Sequence, residues 1–168
     1  MKNYFRNTFV FILLIAFCFI LENKINGQNI SSKDIVNVKV KSNKTLNKND
    51  IITVDVVLNI KDGWHINANK PLDDYLTPTV LSLKDTSNIH IVGVEYPVPI
   101  FAKLNFSQTR LALYENEAII KLKLMVKKSF KKSKLKLNGT VQYQPCNNQT
   151  CLFPISKLFN FELYFKNK

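Results

Sequence analysis

Glycine and histidine are scarce in this chain of 168 residues, and each scarcity removes a class of chemistry. The four glycines stand at 27, 63, 93 and 139. No two are close enough to write a GxGxxG dinucleotide turn or a Walker-type phosphate loop, so the common nucleotide chemistries are excluded. His65 and His90 are the two histidines, 25 positions apart. That spacing excludes HExxH and leaves too few nitrogen ligands for most catalytic zinc sites. No metal, and no organic cofactor, is expected. What is abundant is apolar residues, at 46%, and lysine, which drives the net charge to +12. A chain this apolar folds rather than staying disordered.

Lys2 and Arg6 precede an unbroken apolar run of 13 residues from Phe9 to Leu21. As a helix it would reach roughly 20 Å, short of a bilayer core of roughly 30 Å, which suits a signal peptide rather than an anchor. Residues 1–27 are therefore expected to be removed before Gln28, with Cys18 lost inside the leader. The product, residues 28–168, is expected as a single exported domain, periplasmic or secreted. It keeps 21 basic against 11 acidic residues, a net +10. Export argues against nucleic acid as the partner of this charge. The dense cluster Lys127, Lys128, Lys131, Lys132 and Lys134 reads as a solvated connection between strands, or functionally as a weak attraction to anionic membrane surfaces or an acidic partner.

Beyond the leader the apolar residues recur with a period of two. Val36, Val38 and Val40, then Ile52 through Ile60, then Ala118 through Val126, and finally Phe159 through Phe165 each place one side of a strand toward a core. Turn-forming residues at 47–50, 61–63, 85–88 and 115–117 separate the runs. Seven to nine short strands in about 140 residues predict an all-β, immunoglobulin-like antiparallel β-sandwich, with a small barrel as competitor.

The remaining cysteines lie in Tyr143-Gln144-Pro145-Cys146-Asn147-Asn148-Gln149-Thr150-Cys151-Leu152-Phe153-Pro154. In an oxidising compartment the default is a Cys146–Cys151 disulfide across a polar hairpin tip. Pro154 is expected to end regular pairing. A loop of about six residues gains only about 2 kcal/mol from closure, so the bond is a poor staple. Spacing alone leaves a structural and a redox role both open, with metal capture by His65 and reduced thiols as a third reading.

The words Tyr143-Gln144-Pro145-Cys146 and Cys151-Leu152-Phe153-Pro154, with Ile60-Lys61-Asp62-Gly63-Trp64-His65, Tyr96-Pro97 and Leu113-Tyr114, resemble the N-terminal periplasmic domain of the bacterial thiol:disulfide interchange protein DsbD. The resemblance implies an immunoglobulin-like sandwich that relays electrons to periplasmic thioredoxin-like or disulfide-carrying proteins. Cys151 would form the mixed disulfide and Cys146 would resolve it. Phe106, in Lys103-Leu104-Asn105-Phe106-Ser107-Gln108, matches the phenylalanine of the family's covering loop, whose acidic residues are absent here. The family's active-site tyrosines fall at His65 and Asn67, where a protonated His65 could steady a thiolate. Tyr143 and Trp64 read as packing aromatics, and His90 as structural. With neither a membrane conduit nor a thioredoxin domain before Lys168, a separately encoded membrane thiol reductase is the expected electron source. The alternative is a non-catalytic envelope binding or assembly module whose hairpin bond only locks a loop.

Overall fold

The structure, a computed structural model, describes residues 31–42, 46–47 and 50–166. The expected leader, its expected cleavage point and Cys18 lie outside the described residues. After a 3-10 turn at Ser32–Asp34 the chain forms β1 (Val36–Lys41), β2 (Ile52–Ile60), β3 (His65–Asn67), β4 (Val80–Leu83), β5 (Ile89–Glu95) and β6 (Ile100–Ala102). It continues through β7 (Leu111–Glu115), β8 (Glu117–Val126), β9 (Lys134–Tyr143), β10 (Pro145–Cys146) and β11 (Ile155–Tyr164).

Among the described residues there are eleven strands where seven to nine were expected. The excess comes from β3, β6 and β10, two or three residues each, which are too short for alternation to register. The turn readings fall between strands: Gly63 takes a left-handed φ of 76° between β2 and β3, and Asn116 a φ of 55° between β7 and β8. The lysine cluster spans the connection from Val126 to Lys134, the last of its members opening β9.

One sheet runs β1-β2-β8-β5, a second β10-β3-β7-β6 and a third β11-β9-β4, all antiparallel. Because β10 follows β9 after a single residue, Gln144, whose carbonyl accepts from Asn67 N–H at 3.3 Å, the second and third sheets are consecutive stretches of one side of a sandwich. Between that side and the first sheet lies the main core. Val54, Val56 and Leu58 of β2 and Ile120, Leu122 and Leu124 of β8 are all at 0% exposure. They meet Leu137, Val141, Tyr143, Phe161 and Leu163 of β9 and β11 in one buried cluster. Each such side chain contributes about 1.5–3 kcal/mol by leaving water. Glycine at 139 is required by close approach, since a Cβ there would stand 2.4 Å from the Phe159 ring and 2.8 Å from the Ser82 carbonyl oxygen.

Candidate functional site: a disulfide on the outer face of the sandwich

The local sequence builds a tight loop. Asn147 N–H donates to the Thr150 carbonyl at 2.9 Å, and the Asn147 side-chain oxygen accepts from the Gln149 and Thr150 amides at 2.8 and 2.9 Å. Asparagine is suited to this because its short carboxamide reproduces a backbone turn. Leu152 N–H donates to the Pro145 carbonyl at 2.8 Å. These bonds flank Cys146 and Cys151 and make them a directly opposed pair without hydrogen bonds of its own, the closer kind of antiparallel pair. Their Cα atoms are 3.9 Å apart and their sulfurs are joined at 2.01 Å. The stretch 152–154 follows outside any strand, and after Pro154 pairing resumes at once in the ten residues of β11. Proline therefore stands at a strand's start, where its missing N–H is tolerated, and not at the end of pairing as the sequence reading had it.

Which way the cysteines point follows from register. Pro145 pairs with Ile66, and Ile66 with Tyr114; Ile66 and Tyr114 belong to the main core. Their neighbours face the opposite side: Cys146 pairs with His65, His65 with Glu115, and Asn67 with Leu113. The disulfide thus lies on the outer face of the second sheet, away from the core. There Cys146 forms a second, small apolar cluster with Leu76, Leu104, Leu111 and Leu113, against which Ala102 and Cys151 pack. Leu111 and Leu113 come from the sheet itself. Leu76 and Leu104 come from two covering segments, 68–79 and 103–110, tied to each other by the Thr109 hydroxyl donating to the Asp73 carboxylate at 3.3 Å. Under this cover Cys146 has 0% exposure, whereas Cys151 is only partly buried.

Polar groups at this face form one connected set. Asn67, at 0% exposure, donates from its side-chain nitrogen to the Thr77 carbonyl at 3.2 Å and to Gln144 Oε1 at 3.0 Å. Gln144 Oε1 also accepts from Thr77 N–H at 3.0 Å, and its Nε2 donates to the Leu152 carbonyl at 3.3 Å. Asn67 Oδ1 lies 3.9 Å from Cys146 Sγ. His65 Nε2 is 3.1 Å from Glu115 Oε2, and its buried Nδ1 has no partner among the described residues.

The residues singled out from the sequence therefore separate in space. Cys146, Cys151, His65 and Asn67 share the outer face. Tyr143 lies in the main core at 0% exposure, its hydroxyl donating to the Ser32 carbonyl at 3.1 Å; burial, then the Asp34 charge, pushes its pKa up to about 12. Trp64 also packs on that core, and His90 is exposed on β5. Phe106 is 37% exposed, while its loop neighbour Leu104 is the residue that reaches the cysteine cluster, at 2% exposure. Sequence reasoning missed Leu76, Leu104, Gln144 and Thr77. A usable signal was present in Leu111-Ala112-Leu113-Tyr114, which is apolar on both faces and so demands cover on both. Among the described residues no group of three or more His, Cys, Asp or Glu side chains could hold a metal.

A β-sandwich bearing a two-cysteine hairpin on its outer face, with one cysteine fully buried and the other partly exposed, has the make-up of a thiol:disulfide interchange domain. Residues 32–163 match the family described as thiol:disulfide interchange protein DsbD, N-terminal, and the chain belongs to that family. Among solved structures it is similar to the reduced N-terminal domain of DsbD from Neisseria meningitidis, at 14% identity and TM-score 0.52, covering 84% of this chain and 95% of that one. It is also similar to the N-terminal periplasmic domain of ScsB from Proteus mirabilis, at 14% identity and TM-score 0.54. That match covers 81% of this chain and 49% of the other. These likenesses bear out the immunoglobulin-like sandwich. No curated protein sequence matches the chain.

Proposed function

We propose that the protein works in the periplasm as an electron relay, with Cys151 as the sulfur that meets partners and Cys146 as the one that resolves them. The observation that carries this is the unequal burial of the two bonded cysteines on one loop. Thiol–disulfide exchange needs the attacking sulfur in line with the bond it breaks, so a sealed sulfur cannot meet a partner protein and a reachable one can. In the reduced domain the Cys151 thiolate attacks a partner disulfide, forming a mixed disulfide and expelling one partner thiolate, which takes up a proton. Cys146 then attacks Cys151, closing the intramolecular bond as its own proton passes to the second departing partner sulfur. Two electrons and two protons leave the pair, and the partner ends as a dithiol. A membrane thiol reductase restores the dithiol by the reverse exchange.

The family supports thiol-disulfide proteins of the envelope as partners, and the periplasmic domains it resembles support the location. The test is a redox titration against glutathione with Cys146→Ser and Cys151→Ser variants. A potential above the structural range and a mixed disulfide trapped by Cys146→Ser but not by Cys151→Ser are expected. A potential well below about −300 mV, with no trapped species, would leave the hairpin bond as a loop lock on a binding module.

A further inference from the structure

We propose that Asn67 is a positioning residue for the exchange: its side-chain oxygen is the acceptor for a hydrogen bond from the reduced Cys146 thiol, holding that sulfur protonated and leaving Cys151 to attack. The inference rests on the relay reading above and assigns what keeps its two sulfurs in different roles.

The orientation of the Asn67 carboxamide follows from an unambiguous donor. Thr77 N–H is a backbone amide and can only donate, so the Gln144 atom 3.0 Å from it is an oxygen. That same Gln144 oxygen faces Asn67 at 3.0 Å, so the Asn67 atom meeting it is the nitrogen, as the Thr77 carbonyl 3.2 Å away also requires. Gln144 is held in turn by its Nε2 donating to the Leu152 carbonyl at 3.3 Å. The remaining Asn67 atom, Oδ1, is left facing Cys146 Sγ at 3.9 Å. Asn67 and Cys146 are both at 0% exposure, so water does not compete.

In the disulfide neither sulfur carries hydrogen, and this buried oxygen has no donor among the described residues. Buried acceptors without donors are unfavourable, so the oxidised form bears a cost that reduction removes. Reduction by a dithiol partner puts one proton on each sulfur, and the Cys146 S–H then points where Oδ1 waits. A thiolate at the same place would face the negative end of the carboxamide in an apolar cluster, and both effects disfavour the anion. Partly exposed Cys151 suffers neither. The network thus favours the reduced pair and divides the labour within it.

The experiment uses the full chain with Cys18→Ala, so that no third thiol intervenes. In the Cys151→Ala background Cys146 is then the only thiol, and its S–H stretching band is recorded by infrared spectroscopy. The band is expected at the lowered frequency of a hydrogen-bonded thiol, and Asn67→Leu is expected to return it to the free position. With both cysteines present, Asn67→Leu is expected to shift the equilibrium constant with glutathione about threefold to tenfold toward the disulfide, the scale of one modest hydrogen bond. A band at the free position with Asn67 in place overturns the inference, whether or not the leucine variant folds. So does an unchanged glutathione equilibrium in a folded Asn67→Leu protein. A lowered band in a domain that traps no partner would instead count against the relay and leave the Asn67 bond standing, so the two failures are distinct.

Discussion

The main core and the cysteine cluster are built on the same strands but closed in different ways. Inside the sandwich, Val54, Leu122, Val141 and Tyr143 are covered by an opposing sheet whose backbone is itself tied by long ladders such as β9–β11 and β2–β8. On the outer face, Leu111, Leu113 and Cys146 are covered by two connecting segments that contribute one leucine each. Sheets open only when the whole domain unfolds, whereas connecting segments with few buried groups open at lower free energy. The second kind of cover closes over Cys146 of the disulfide without making access to it depend on global unfolding. Three positions along one strand line, from Tyr143 facing inward to Cys146 facing outward, separate the two regimes.

Substitutions can break this contrast, and the largest effect should come from the inner side. Leu122→Ala, at a site with 0% exposure between two sheets, is expected to cost about 2–5 kcal/mol in urea unfolding while leaving the reduction potential of the cysteine pair unchanged. Leu104→Ala should cost less, about 2 kcal/mol, because a loop can collapse into the space it leaves. Its signature should instead be faster reduction of the native disulfide by dithiothreitol; equal reduction rates in the two proteins would mean that Leu104 does not cover the bond.

Tyr143→Phe sharpens the comparison through pH. The buried tyrosine holds its proton until about pH 12, against 10.0 for an ordinary phenol, so the folded state keeps the proton that the unfolded chain releases. Stability is then whole below pH 10 and falls as pH rises from 10 toward 12. The phenylalanine variant should lose about 1 kcal/mol at neutral pH with the bond to the Ser32 carbonyl, and should show a shallower alkaline decline. The smallest effect is expected at Lys134, paired with Glu162 at 2.9 Å on the exposed face of β9–β11. Lys134→Ala should lower stability only at low ionic strength, as solvent and salt screen such pairs.

Much of this arrangement was legible in the order of residues. Alternation at Val54-Val56-Leu58 and Ile120-Leu122-Leu124 marks strands because side chains on a pleated backbone change face at every step, whatever the partner strand. The Asn147–Thr150 tip marks a hairpin because its turn bonds are local. Cys146 and Cys151 are five positions apart, near enough for chain connectivity alone to bring their sulfurs together. Short-range physics suffices for all of these.

The rest required the folded chain. Which face the sulfurs take depends on the pairing of Cys146 with His65 across 81 positions, and a slip of one residue would have turned them into the core. Leu76 and Leu104 come from separate connections, and nothing in Lys103-Leu104-Asn105-Phe106 alone tells which apolar side chain turns inward. Asn67 meets Cys146 only because β3 lies beside β10, at a sequence separation of 79. Alternation assigns residues to faces; register and cover are sums over contacts between distant segments, and those sums exist only once the sheets have formed.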